Sequence, residues 1–176
     1  MNPKFDTGEV FELVELEDFS GAGIRMYSIA VPGDPKTLFD YFVDDHKVDY
    51  KEEIEQLKDH LEVMGLEEGL RPVWYRGGQG GPGFCYFFDH PDKLLRLYFL
   101  LIPKNANDDY AVILFGGGHK PADAHALQQV AATRDAHEIM KRVAYTLFRL
   151  FDKEILLKSD EGFTCDDQDE LIFEIE

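Results

Sequence analysis

The sequence predicts one α+β domain of 176 residues, with two helices near the N-terminus and a long helix near the C-terminus. These helices pack on a mainly antiparallel sheet, and a β-hairpin is expected at each end. Three observations carry this reading. Apolar residues repeat at helical intervals over about 34–65 and again over about 123–151. Between those stretches, short β-rich runs are separated by turn residues, the pattern of a meander. Both ends of the chain carry alternating or β-rich segments.

Taken in order, residues 9–17 (EVFELVELE) alternate Val10, Glu12 and Val14 with Phe11 and Leu13, which predicts a strand. After SGAG, the segment IRMYSIAV (24–31) predicts its hairpin partner. Asp34 followed by Pro35 predicts a helix start, and Leu38, Phe39, Phe42 and Val43 form its apolar stripe. A second helix is expected through Ile54, Leu57, Leu61 and Met64, stopped by Gly65, with His60 on its polar side. Strands are expected at 71–78, 84–90, 93–103 and 109–118, with turns at Asp89–Asp92 and 104–109. The long helix should run from about Asp123 to Phe151, burying Leu127, Val130, Ala131, Ile139, Val143, Leu147 and Leu150. The segments 154–159 and 170–176 are expected to pair as a terminal hairpin. The chain therefore reads as a single domain over 1–176, with hairpin additions at 1–34 and 152–176.

Composition excludes several classes. A chain this long can bury roughly 70% of the surface that its unfolded form exposes, so it needs no disulfide or metal staple. With 44% hydrophobic residues it is not a disordered chain. No apolar run reaches the roughly 18 residues of a membrane helix, and the N-terminus lacks signal-peptide character, so a cytoplasmic protein with no membrane partner is expected. Cys85 and Cys165 stand alone, outside any CxxC pair, and are expected to be inert free thiols. The net charge is −17, yet residues 71–149 hold 10 bases against 7 acids. That middle is +3 within a chain whose remainder is −20, so DNA binding is not expected, whereas a local phosphate site fits.

The glycine-rich RGGQGGPG (76–83) lacks the GK[ST] ending of a phosphate loop and leads into a strand, so it reads as an inter-strand loop with Arg76 at its base. The spacing of His119, Asp123 and His125 is set aside as a metal site, because Asp123 is the natural helix N-cap and no second cluster supports it. His46 is expected in an acidic helix-to-helix turn and not as a ligand, and His137 is expected to be exposed on the long helix. No cofactor is expected. What remains is basic: Arg96 and Tyr98 on one strand, His119 and Lys120 after the next. If those strands pair, the four converge on one sheet edge. Such a mixture suits metal-independent RNA cleavage, with His or Lys taking the 2′-hydroxyl proton, Arg stabilising the phosphorane and Tyr or His protonating the leaving oxygen. On the residues alone, Arg96 as an ordinary strand residue and His119-Lys120 as a loop closure remain the alternative.

The order helix, helix, meander, His-Lys loop, helix resembles the RelE/HigB-like toxin superfamily over about residues 35–150. The segments KLLRLYFLLIP, VILFGGGHKP and HLEVMGLEEGLRPVWYRGG carry the likeness. The resemblance implies a small ribosome-dependent mRNA endonuclease of a toxin–antitoxin module, with an antitoxin protein, the ribosome and mRNA as partners. It implies catalytic positions at Arg96, His119 and Lys120, with Tyr98 a weaker match; Arg71 and Arg76, in the basic segment before the sheet, are expected to bind substrate. The chain departs from that pattern in its strong acidity and in having a single lysine at the loop. A different reading is therefore kept beside it: a non-catalytic binding protein of the same fold whose acidic surface engages a basic protein partner.

Overall fold

A computed structural model describes the chain except for residues 1, 2, 4, 78–80, 88–92, 120–126 and 167, and except for the side chains of 127–130. Nine described strands and three α-helices follow in the order β1 (Val10–Glu15), β2 (Arg25–Ala30), α1 (Leu38–His46), α2 (Lys51–Val63), β3 (Tyr75–Gly77), β4 (Phe84–Phe87), β5 (Leu95–Pro103), β6 (Asp109–His119), α3 (Leu127–Asp152), β7 (Leu156–Ser159), β8 (Gly162–Cys165) and β9 (Ile172–Glu174). The fold is α+β, as expected. Seven strands form one sheet in the order β3-β4-β5-β6-β2-β1-β9, and β7 and β8 form a separate hairpin.

All pairings in the main sheet are antiparallel except that of β2 with β6, where Arg25 to Ser28 run alongside Ala111 to Leu114. Both central strands are apolar on both faces, as a strand covered on two sides must be. Of β2, Met26 to Ala30 are all buried, and of β6, everything from Ala111 to His119. Ser28 and His119 are the polar exceptions, and the Ser28 hydroxyl donates to the Leu114 carbonyl at 2.7 Å. One face packs α1 and α2 through Phe39, Phe42, Ile54, Leu57 and Leu61. The other packs α3 through Met140, Val143, Ala144 and Leu147, together with Leu156 and Phe163 of the β7–β8 hairpin.

Several expectations are corrected in detail. Helix α1 is capped by Thr37, not Asp34: Thr37 and Asp40 form a reciprocal capping box, while the Asp34 carboxylate takes the Lys36 N–H in the preceding turn. Gly65 does not stop α2. The chain passes through it in a π-type turn (Met64–Glu68) and reverses at Gly69, whose φ is 77°. Gly65 is small for another reason, since a Cβ there would sit 1.5 Å from the Phe19 carbonyl oxygen. The expected strand over 71–78 is shortened to Tyr75–Gly77 by a 3₁₀ turn at Pro72–Trp74. The two C-terminal segments do not pair with each other: Leu156–Ser159 pairs with Gly162–Cys165, and Ile172–Glu174 pairs with β1 at the sheet edge. The Asp89–Asp92 turn, the start of the long helix at Asp123 and the packing of Leu127 and Val130 lie outside what is described. None of the helices among the described residues is long and apolar enough to cross a membrane.

Candidate functional site

Strands β5 and β6 carry three of the four residues expected to converge. Pairing sets Leu95 opposite His119, Arg96 opposite Gly118, Leu97 opposite Gly117 and Tyr98 opposite Gly116. Upstream on β6, Ala111, Ile113 and Phe115 face α3. Simple alternation would carry His119 to that same face, beside Arg96 and Tyr98. A bulge intervenes. The register jumps from Phe99–Leu114 to Tyr98–Gly116, which leaves Phe115 as an extra residue, and Gly116 adopts φ 103°. One inserted residue exchanges the two faces of everything beyond it.

The expected constellation is therefore divided. Arg96 and Tyr98 lie on the α3 face, His119 lies on the α1–α2 face, and Lys120 falls outside the described residues. On the α3 face the Arg96 guanidinium lies 4.1 Å from the Tyr86 ring centroid, and Tyr86 meets Tyr98 edge-on at 5.9 Å. His137, expected to be a solvated helix residue, is half-buried there, with its ring 5.3 Å from Tyr98 and 6.2 Å from Phe84. A guanidinium laid on a tyrosine ring is a cation–π pair, which holds the Arg96 head in one orientation.

On the opposite face His119 is only 7% exposed, and its Nε2 lies 2.5 Å from the Tyr50 hydroxyl. The Tyr50 ring also meets His46, at 5.9 Å, and His46 packs edge-on against Phe42 at 5.0 Å. His46 is half-buried against these two rings, a packed residue at the end of α1. Burial holds its pKa below the ordinary value, and the neighbouring His119 adds to that, while Asp45, the Gly117 carbonyl and Asp49 oppose it. Glu53, one turn beyond Tyr50, accepts the backbone N–H groups of Leu94 and Leu95 at 3.0 and 3.1 Å. Together these side chains join the end of α1 and the start of α2 to the ends of β5 and β6. The Tyr50–His119 hydrogen bond can pass a proton between its partners, but Arg96 cannot share a phosphate with it across the sheet.

Arg71 and Arg76, the two expected substrate-binding positions, make local contacts. Arg71 pairs with Glu68 and lies 4.7 Å from the Trp74 ring. Arg76 donates to the carbonyls of Pro72 and Tyr75 at 3.2 and 3.0 Å. His60, expected on a polar surface, stacks on Trp74 at 3.9 Å with ring planes 5° apart, and burial lowers its pKa. Among the described residues no group of three or more His, Cys, Asp or Glu side chains is placed to hold a metal. Asp123 and His125 lie outside those residues. Cys85 is buried, which pushes its thiol up to about 11.

A different feature lies beside α1 and α2, against the end of β1. Two depressions, of about 630 and 440 Å³, share Asp18, Phe19 and Lys58 between their walls. Their floor is apolar, with Leu16, Phe19, Phe39 and Val43. Their rim carries eight acids (Glu15, Glu17, Asp18, Asp40, Asp44, Glu55, Asp59 and Glu62) against Lys36 and Lys58. Glu55, Asp59 and Glu62 stand at intervals of four and three along α2, which places them on one exposed stripe. Glu15 pairs with Arg25, and Asp44 pairs with Lys36 and Lys47, whose ammonium groups, that of Lys36 foremost, hold the Asp44 carboxyl down at about 2. No single short motif in the sequence announces this groove, because its walls come from the β1–β2 connection and from two helices. The chain matches no protein-family model, no curated protein and no solved structure.

Proposed function

We propose that this protein is a binding module, without a toxin-type nuclease centre, which engages a basic protein partner through the acidic groove beside α1 and α2. The observation that carries this reading is the groove itself: an apolar floor that can take a partner's hydrophobic side chains, inside a rim of eight acids and two lysines. Buried apolar contact supplies affinity in such a surface, while the like-signed rim selects basic partners and accelerates their approach. RNA, being anionic, is disfavoured at this surface.

A RelE/HigB-like ancestry remains part of the proposal, and the succession of α1, α2, the β3–β6 meander and α3 supports it. The mRNA endonuclease reading would need Arg96, Tyr98 and His119 around one phosphate, and the β6 bulge sets Arg96 and Tyr98 against His119 on opposite faces. Two measurements test the choice. A lysine-rich amphipathic helical peptide should bind the wild type with an affinity that falls as salt rises, and an acidic peptide of equal length should not. Reversing Asp18 and Glu62 to lysine should weaken that binding about tenfold. Induced expression in a bacterial host should leave growth and mRNA intact. Growth arrest with mRNA cleavage, abolished by His119→Ala, would overturn the reading in favour of the nuclease.

A further inference from the structure

A pocket of about 580 Å³ opens on the α3 face of the sheet, whereas the floor of the acidic groove belongs to the α1–α2 face. That volume falls within the roughly 300–1,000 Å³ of small-molecule sites. Its walls come from the β6 bulge, from α3 between Ala131 and Arg142, and from the N-terminal segment at Phe5 and Asp6. The bulge cannot fill the space. Gly116 stands at φ 103°, and a Cβ on Gly117 would lie 1.9 Å from the Arg96 carbonyl oxygen, so neither position takes a side chain. On the α3 wall Ala132 and Ala136 are short as well, and Phe5, Leu38, Phe115 and Ile139 make the lining apolar.

The charged groups of the lining are unequal. Arg142 is already committed, donating to the Phe5 carbonyl at 2.9 Å and to the Asp6 carboxylate at 2.6 Å. Glu138 accepts from Lys141 at 3.0 Å. Asp135 is held loosely, 3.7 Å from the Arg134 Nε with both side chains largely exposed. Among the described lining residues three acids thus face one engaged arginine. We propose that this pocket binds a small organic cation, with its apolar body between the β6 bulge and α3 and its ammonium group on Asp135. The body gains by leaving water, and the charge at the mouth sets an amine apart from a carboxylate of the same shape. A carboxylate would meet the acids with no uncommitted cation among the described lining residues to receive it.

Tryptamine, tryptophol and indole-3-acetate share one apolar body and differ in charge, and NMR titration of the full chain with each tests the site. Tryptamine should saturate with a Kd of about 1 mM or tighter. It should move the amides of Gly116, Gly117 and Ala136, and leave those of Phe19 and Lys58 in the groove unmoved. Indole-3-acetate should bind about tenfold more weakly or worse, with tryptophol between them. Asp135→Asn alters an exposed side chain, and it should bring tryptamine to the affinity of tryptophol while leaving tryptophol unchanged. Ala132→Leu fills the pocket from a helical position and should abolish binding of all three. Absence of saturable tryptamine binding would overturn the site, as would equal affinity for tryptamine and indole-3-acetate. Shifts confined to the groove, a preference for tryptamine that survives Asp135→Asn, or undiminished binding to folded Ala132→Leu would overturn it too.

Discussion

His46 ties residue chemistry to stability through its depressed pKa. The unfolded chain takes up this proton near the ordinary histidine value of 6.5, whereas the folded chain resists it. Stability is therefore full above about pH 6.5 and declines as pH falls from there toward the lower folded value. Half-buried His60, stacked on Trp74, acts in the same direction. The urea midpoint should be lower at pH 5 than at pH 7.5, and His46→Gln should shrink that difference. Glycine 65 offers a harsher test. Any side chain there meets the Phe19 carbonyl, so Gly65→Ala should cost about 3 kcal/mol or more, read from urea unfolding. These residue-level facts were scarcely legible beforehand. A histidine four residues before a tyrosine, or a glycine after a helix, has the same appearance whether it is solvated or packed; only the partner from a distant strand decides.

Elements were far more legible than residues, because period and turn chemistry are local properties. The alternation of β1, the stripes of α1 and α2, and the meander of β4 to β6 all appear close to their expected bounds. Two things escaped for one reason, namely that they depend on long-range pairing. The parallel contact of β2 with β6 joins segments on either side of both N-terminal helices, and the β6 bulge changes faces without changing the strand pattern. That bulge is why a cluster plausible along the chain is divided in space. Two elements give clean predictions. Thr37→Ala removes half of the α1 capping box and should lower stability by about 1 kcal/mol. The Tyr27 hydroxyl, whose pKa burial raises to about 12, accepts the Phe163 N–H at 3.2 Å. Tyr27→Phe strands that donor and should cost about 1–3 kcal/mol, with exchange of the Phe163 amide rising first.

At the scale of the whole molecule, charge and topology act separately. A net charge of −17 on 176 residues means self-repulsion that salt screens, so the melting temperature should rise by roughly 3 °C between 10 and 300 mM KCl. The same salt should weaken a basic partner, which distinguishes surface charge from groove packing. Topology bears on how the molecule is made. Strand β2 lies between β1 and β6, and its contact Ser28–Leu114 spans 86 residues of chain. During synthesis the β1–β2 hairpin emerges before β6, with the β6-facing edge of β2 open until Asp109–His119 has followed. The far edge of β1 waits longer still, for Ile172–Glu174. Completion of the sheet is thus tied to the late arrival of β9: a nascent chain interrupted before β6 presents two unpaired strand edges, which makes it a substrate for chaperones and proteases.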